Sequence, residues 1–182
     1  GTTAGAPSGD LVPTASSAGS TGGVIDVNNA NATATVNPVL TNTINGGAVL
    51  TAGTINVSTD NRANVGANTS AGGGGLVSIG DSDAVANATS TTTLLIAANA
   101  QLIARSNINV TNVARFDTGV AAASSGGGLG AGVHSSAHTT ITHTTKSTVA
   151  GVLTAGGNVV VETKTVIDGE ASSNSRGGGL GV

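Results

Sequence analysis

The feature that most constrains this fold is a sequence repeat of about 52 residues, marked by glycine runs that each precede an apolar residue. Leu76, Leu129 and Leu180 follow three such runs, and a weaker copy of the pattern precedes Val24. Successive markers are 52, 53 and 51 residues apart. The glycines of the three runs are Gly72, Gly73, Gly74, Gly75, Gly126, Gly127, Gly128, Gly177, Gly178 and Gly179. Self-similarity at a period of this length is typical of solenoids and other stacked-repeat folds.

A second marker recurs between the glycine runs, in the segments AVLTAGTINV, AQLIARSNINV and GVLTAGGNVVV. Its leucines, Leu50, Leu102 and Leu153, are 52 and 51 residues apart and fall about midway between the glycine-run markers. A half-repeat of about 26 residues therefore exists as well. Two interpretations stay open at this point, because one turn of a solenoid, or rung, can contain either about 26 or about 52 residues.

Aligning the copies shows that hydrophobicity alternates with a period of two. Apolar and small residues share one set of columns, namely Ile55/Ile108/Val159, Val57/Val110/Val161, Ala63/Phe116/Ile167 and Ala67/Val120/Ala171. Charge falls in the columns between them, as in Asp60/Val113/Lys164, Arg62/Arg115/Val166 and Asn64/Asp117/Asp168. Such alternation predicts strands with one buried face. The chain is therefore predicted to be an all-β protein, a β-solenoid whose equivalent residues stack in columns.

The glycine runs predict a sharp bend in each rung, because glycine accepts conformations and close approaches that other residues do not. The leucine after each run is predicted to re-enter the core. A second turn is predicted near residues 45–47, 98–99 and 150–151, where the copies differ in length, since turns tolerate insertions best. The predicted core ladders are Leu76/Leu129/Leu180, Leu50/Leu102/Leu153 and Ile55/Ile108/Val159.

The repeats divide the chain into segments of approximately 21–72, 73–125 and 126–176, with 177–182 starting another. Residues 1–20, which include Pro7 and Pro13, depart from the repeat and are interpreted as a degenerate or frayed first rung. Because the chain starts at Gly1 without Met, it is interpreted as a mature segment or as a fragment of a longer protein.

The composition excludes several classes of function. Charged residues make up 8% of the chain, against about 25% in an ordinary domain, and with a net charge of −3 no basic patch is available for nucleic acid. There is no cysteine for a disulfide or a thiolate metal site. The longest apolar runs are a few residues, so no membrane insertion is predicted. Large side chains are scarce and Phe116 is the one aromatic residue, which favours a thin core.

The segments GGGLG, the Ala/Thr alternation after them and VLTAGGNVVVET resemble parts of the large repetitive secreted proteins of bacteria. These include filamentous-haemagglutinin-like and leukotoxin-like filamentous adhesins and β-strand-repeat exoproteins. The resemblance is one of repeat style and extends from Thr21 onward. It implies an extracellular or cell-surface fibre that acts in adhesion, biofilm matrix or a surface filament. It also implies partners that are further copies of the repeat or the rest of a longer chain, and no catalytic residues.

Other chemistry receives little support from the residues. The segment GGGLGAG lies between strands, whereas a dinucleotide-binding loop leads into a helix. Asp81 and Asp83 offer oxygens suited to calcium, but the aligned rungs carry different residues, so a solvated turn is favoured. The histidines, His134, His138 and His143, do not share one face of a strand, as a tetrahedral zinc site requires. No catalytic residues, cofactor or metal ligands are predicted, and the chain is not predicted to be an enzyme.

An alternative function is recognition of a host or bacterial surface glycan through an outward face rich in Thr and Asn. Its columns are Thr35/Asn87/Thr140, Asn37/Thr89/Thr142 and Thr41/Thr93/Lys146. Regular threonine ladders also resemble those of ice-binding proteins, although Val39 and Lys146 interrupt the array. A third alternative, a polysaccharide-degrading solenoid, is disfavoured because its cleft needs clustered acids, bases or aromatic residues.

Overall fold

The computed structural model describes residues 2–5 and 10–179, and all the regular structure in these residues is β-strand. The first layer contains β1 (Thr2–Gly5), β2 (Asp10–Leu11), β3 (Thr14–Gly22), β4 (Ile25–Val36), β5 (Val39–Ile44) and β6 (Val49–Ala52). The second contains β7 (Ile55–Gly74), β8 (Val77–Ile96) and β9 (Gln101–Ala104). The third contains β10 (Ile108–Gly127), β11 (Gly130–Val149) and β12 (Val152–Ala155), and β13 (Val159–Gly178) lies in a fourth. The prediction of an all-β β-solenoid is confirmed.

Three parallel sheets run through the layers, two long and one short. In the first long sheet β10 lies between β7 and β13, while β1, β2 and β3 pair with the other edge of β7. In the second long sheet β8 lies between β11 on one side and β4 and β5 on the other. The short sheet has the order β6, β9, β12. Each rung thus contributes one strand, or a broken strand, to each sheet.

One rung corresponds to one full repeat of the sequence. Ile108 pairs with Ile55 on one side and with Val159 on the other, so each step between layers advances the chain by a full repeat. The alternative, in which one rung contains only a half-repeat, is therefore excluded. Leu102 lies in the short sheet and Leu76 at the corner between the long sheets, so the half-repeat spans half the circumference of one rung.

Side chains along the long strands of the second layer alternate between the interior and solvent. The inward columns that begin with Ile55, Val57 and Ala63 are buried in the second and third layers, as the alternation predicts. A slip of one residue would expose every one of these side chains, so the hydrophobic pattern fixes the register. Identical or similar residues consequently stack directly above one another.

The cross-section of the solenoid is a wedge. The two long sheets meet at the glycine corner, whereas at the other end the four-residue strands of the short sheet separate them by about 13 Å. Side-chain volume follows this taper. The wide end is filled by Ile44, Ile55, Val57, Leu94, Ile96, Leu102, Ile108 and Val110. The middle is filled mainly by alanine and valine, and buried residues nearer the corner include Thr69, Ala71, Ser78, Ser82 and Ser124.

Only the last glycine of each run lies at the bend. Gly72, Gly73 and Gly74 belong to β7, Gly126 and Gly127 to β10, and Gly177 and Gly178 to β13, whereas Gly75, Gly128 and Gly179 follow these strands. At Gly75 an added Cβ would lie closer than 3.0 Å to the carbonyl oxygen of Gly23, and at Gly128 it would lie equally close to that of Gly75. The prediction that the whole of each glycine run forms the bend is thus wrong. The corner glycines are needed because successive layers approach one another too closely for a side chain.

The burial predicted for the leucines after the glycine runs is wrong. Leu76 and Leu129 are 52% and 58% exposed. They do stack, since the Leu129 N–H donates to the Leu76 carbonyl oxygen at 3.0 Å. Leu76 and Leu129 continue the outward positions of β7 and β10, and the alternation changes phase at the residue that follows each leucine. Leu180 lies outside the described residues.

The other two predicted ladders line the interior at the wide end. Leu102, Ile55 and Ile108 are completely buried, while Leu50 and Leu153, in the layers on either side of Leu102, are half-buried. Val159 departs from the prediction and is 43% exposed. β13 is the last described layer and packs against β11 of the layer before it, as in the hydrogen bonds from Thr163 to Ser147 and from Thr165 to Thr145, so its inward side chains are covered only in part.

The second predicted turn lies where the long strand of the second sheet leads into the short sheet. Gly47 and Asn99 there have φ of 81° and 66°, a left-handed conformation that glycine and asparagine accept best. Near the start of the chain, β1, β2 and β3 continue the stack in register with β7. Residues 1, 6–9 and 180–182, which belong to the predicted first and last segments, lie outside the described residues.

Candidate functional site

The outer face of the first long sheet carries a groove of about 310 Å³ over its central layers. We call it the charged groove. It is lined by Val12, Arg62, Ala63, Asn64, Arg115, Phe116, Asp117, Val166 and Asp168. The polar members come from two neighbouring outward columns of β7, β10 and β13, because residues two apart on a strand point to the same side.

Two arginines stack in the first of these columns, and the Asp60 carboxylate contacts both. Asp60 Oδ2 accepts hydrogen bonds from Arg62 Nε at 3.2 Å and from Arg62 Nη2 at 2.9 Å. Its Oδ1 lies 3.5 Å from Arg115 Nε. Both arginine side chains remain nearly half exposed, so each presents part of a guanidinium group to solvent.

The second column places like charges in adjacent layers. Asn64, Asp117 and Asp168 are paired in register, so the two carboxylates stand one strand spacing apart, about 4.8 Å. Facing like charges destabilise a sheet, and a ligand with hydroxyl or ammonium donors would relieve this repulsion. The groove therefore combines hydrogen-bond donors in one column with acceptors in the next, which suits a polar ligand with both kinds of group.

Hydrogen bonds between polar side chains cross the interior, and the sequence interpretation did not anticipate them. Asn61 Nδ2 donates to Ser90 Oγ and to Thr92 Oγ1, both at 2.9 Å. The hydroxyls of Thr69 and Ser82 are 2.6 Å apart. Each bond joins the first long sheet to the second. The signal for them was available in the alternation, because Asn and Thr at these positions have inward parity.

Near the glycine corner the interior holds an aspartate and an asparagine from β4. Asp26 is buried and accepts a hydrogen bond from the Thr21 hydroxyl. Asn28 Nδ2 donates to the Gly72 carbonyl oxygen at 2.8 Å. An added Cβ on Gly73 would overlap the Asp26 carboxylate, so glycine within the strand makes room for this group. These contacts fasten the two long sheets where the wedge is thinnest.

The aspartates considered for calcium stand side by side on the outer face of β8. Asp81 Oδ1 lies 3.1 Å from Nδ1 of His134 in the next layer. Asp83 pairs in register with Asn31 and Ser136. In the described residues no group of three or more His, Cys, Asp or Glu side chains converges as a metal site requires.

Each histidine lies on the face of β11 that the alternation along the strand predicts. His134 and His138 point outward from β11, while the ring of His143 packs against Phe116 with centroids 5.6 Å apart. Thr140 and Thr142 are exposed on the outer face of the second long sheet. Stacked hydroxyls and amides along this face form the surface on which the glycan hypothesis depends.

Compared with protein-family models, with curated proteins and with solved structures, the chain shows no significant match. Within residues 2–5 and 10–179, no helix is long and apolar enough to cross a membrane. The geometry of the solenoid and the resemblance in repeat style are therefore the observations that bear on function.

Proposed function

We propose that this chain is a structural repeat segment of a long extracellular bacterial fibre or adhesin, with a role in surface adhesion, biofilm matrix or a cell-surface filament. The observation that carries the proposal is uninterrupted in-register stacking. Every residue of β7 pairs with a residue of β10, and every residue of β8 pairs with a residue of β11. The resemblance in repeat style supports the location and the biological role.

The mechanism is mechanical, and no reaction is assigned. Each of the two central layers bonds to the other through two long ladders, which run the full length of β7 and β8, and through the short ladder of β9. Each layer also completes the core of its neighbour, as expected of a fold in which repeats stabilise one another. Pulling one layer from the next must break these ladders together, so the stack resists axial force.

The dimensions of one rung support the proposal that such a segment belongs to a long protein. A strand as long as β7 spans about 65 Å, whereas each layer adds about 4.8 Å of height. A stack becomes longer than it is wide only beyond about 14 layers, or roughly 700 residues at the spacing of this repeat. A fibre function therefore needs many more repeats than this chain contains.

The mechanical part of the proposal is tested by adding one layer. A second copy of residues 55–107 is inserted between Asn107 and Ile108, and the same residues in scrambled order are inserted as the control. Cryo-electron microscopy should show the stack taller by ~4.8 Å for the repeat and not for the scrambled insert. An insert that loops out without adding height would refute stacking as the growth rule.

The cellular part needs a separate measurement. Antibodies raised against the purified chain are applied to intact and to permeabilised source cells, and the label is located by immunogold electron microscopy. We expect label on the outside of intact cells, on filaments or matrix. Label found only after permeabilisation would refute the extracellular role while leaving the fold untouched.

A second candidate function is glycan binding by the outer face of the second long sheet. It is supported by the exposed hydroxyls of Thr140 and Thr142, which belong to columns stacked about 4.8 Å apart. On a glycan array, the double change Thr140→Glu and Thr142→Glu should abolish binding. The matched control Asn68→Glu, on the outer face of the first long sheet, should leave binding unchanged. Equal binding by all three proteins would exclude this face.

A further inference from the structure

Apolar side chains cover the outside of the glycine corner. We call this surface the corner strip, and it consists of Val24, Ile25, Val27, Leu76, Val77, Ile79 and Leu129. Each of these residues is between 43% and 71% exposed. The strip follows the solenoid axis over three layers, because Val77 and Ile79 pair in register with Ile25 and Val27.

The corner strip is bordered by polar side chains on one side and by glycines on the other. On the second long sheet the next outward column is Asn29, Asp81 and His134. On the first long sheet the outward residues at the corner are Gly22, Gly74 and Gly127, which are paired in register. A continuous apolar surface with a polar border on one side and side-chain-free backbone on the other is typical of a protein interface rather than of a solvated face.

The area of the strip fits a symmetric dimer. The exposed parts of its seven residues amount to roughly 700 Å², which exceeds the largest apolar patch of an ordinary monomer. A stable interface of standard size buries about 800 Å² on each partner. Two strips covering each other therefore approach that size, and the low charge of the chain, net −3, opposes such association only weakly.

The shape of the strip complements itself when two copies run in opposite directions. Its first layer carries Ile25 and Val27, but in the third layer the same columns hold Gly130 and Gly132. In an antiparallel pair centred on the second layer, the bulky residues of one copy face the glycines of the other. A parallel pair would instead place bulk against bulk in the first layer and leave a gap in the third.

We propose that the corner strip is a lateral dimer interface, in which two copies of this chain pair corner to corner and antiparallel. The two-fold axis lies near Leu76, which meets its own counterpart. Val24 of one copy meets Leu129 of the other. This pairing is independent of the proposed fibre function, because it requires only the exposed strip and not stacking along the axis.

The first experiment measures association of the intact chain. Sedimentation equilibrium over a range of concentrations should show a monomer–dimer equilibrium. Ile79→Asp should raise the dissociation constant at least about tenfold, because a symmetric interface contains the substituted residue twice. Val49→Asp is the matched control, since Val49 is 61% exposed on the short sheet, far from the strip. Far-ultraviolet circular dichroism checks that all three proteins are folded.

Three results would overturn the proposal. They are a monomer at every concentration, association that Ile79→Asp leaves unchanged, and a control variant Val49→Asp that weakens association as much as Ile79→Asp does. Association into open-ended oligomers that is unchanged by Ile79→Asp would indicate stacking along the axis. This result would support the fibre and refute the lateral dimer. A monomeric chain in which an inserted layer adds height would refute only the lateral dimer.

The second experiment tests the direction of pairing. The chain contains no cysteine, so each introduced thiol reports on one position. Under mild oxidation, Leu76→Cys should form a disulfide dimer, and an equimolar mixture of Val24→Cys and Leu129→Cys should form the mixed dimer. Efficient self-crosslinking of Val24→Cys alone would show parallel pairing and refute the proposed arrangement.

Discussion

Replacement of the corner glycine Gly75 by alanine tests the closest backbone approach in the solenoid. The added Cβ would lie closer than 3.0 Å to the Gly23 carbonyl oxygen, which belongs to the neighbouring backbone and cannot turn aside. Moving the two layers apart lengthens the hydrogen bond from the Val77 N–H to the Val24 carbonyl oxygen, now 3.1 Å. Strain and weakened hydrogen bonds therefore act together.

The expected cost follows from these contributions. Overpacking costs about 1–3 kcal/mol, and weakening one or two backbone hydrogen bonds adds about 1 kcal/mol. Alanine offsets about 0.4–1 kcal/mol of this cost, because it lowers the conformational entropy of the unfolded chain. We expect Gly75→Ala to lower the free energy of unfolding by about 1–3.5 kcal/mol. The adjacent Gly74, where an added Cβ meets nothing within 4 Å, is the matched control, and Gly74→Ala should be neutral or stabilising by up to about 1 kcal/mol.

Urea unfolding at one protein concentration measures both variants. Far-ultraviolet circular dichroism is the signal, because the chain has neither Trp nor Tyr. At a slope of about 2 kcal/mol per molar urea, the two midpoints should differ by about 0.5–2 M. Equal midpoints for the two variants would refute the argument that layer contact, rather than the bend itself, requires glycine at the corner.

The same assay checks three further expectations. Leu102→Ala empties a fully buried site and should cost about 2–5 kcal/mol, whereas Val49→Ala, at an exposed site, should change stability by less than about 0.5 kcal/mol. Asn61→Ala leaves two buried hydroxyls without their donor and should cost about 1–3 kcal/mol, while the outward Asn64→Ala should cost almost nothing; equal losses would contradict the inward assignment. Asp60→Asn removes the carboxylate that pairs with Arg62 and Arg115 and should cost up to about 1 kcal/mol. This loss should shrink in high salt, and a loss that stays the same there would contradict an electrostatic origin.

The stacked columns, and the inward and outward faces of the strands, were predictable because the repeat supplies several aligned copies of each position. The repeat aligns Ile55 with Ile108 and Val159, and alternation assigns them to one side of a strand. Solenoid stacking then follows, since no single rung can bury its own apolar face. The number of residues in a rung was not predictable. The leucines after the glycine runs and the leucines midway between them recur every 26 residues or so, and this spacing is the same whether the two kinds of leucine stack on each other or lie on opposite sides of one rung.

The corner and the interior hydrogen bonds escaped prediction for different reasons. At Leu76 the chain changes direction and the alternation changes phase, so the pattern of β8 wrongly assigns this leucine to the interior. Inward polar residues such as Asn61 depend on a partner in the other long sheet, and the pairing of two facing sheets is set by the path between them rather than by local sequence. The alignment of the repeats already placed Arg62 and Arg115 in one column, whereas the charged groove that they line depends on the shape of the outer face over several layers.

The tapered cross-section has a consequence for a stack of many layers. With a width of about 65 Å and a thickness of about 13 Å, such an object is a ribbon, and its resistance to bending depends on direction. The bending rigidity grows with the cube of the dimension that lies in the plane of bending. Bending across the thin dimension is therefore easier than bending across the broad one by the square of the ratio of width to thickness, roughly 25-fold. A filament built this way would curve over a surface with its broad faces flat against it, while it stays straight within the plane of that surface.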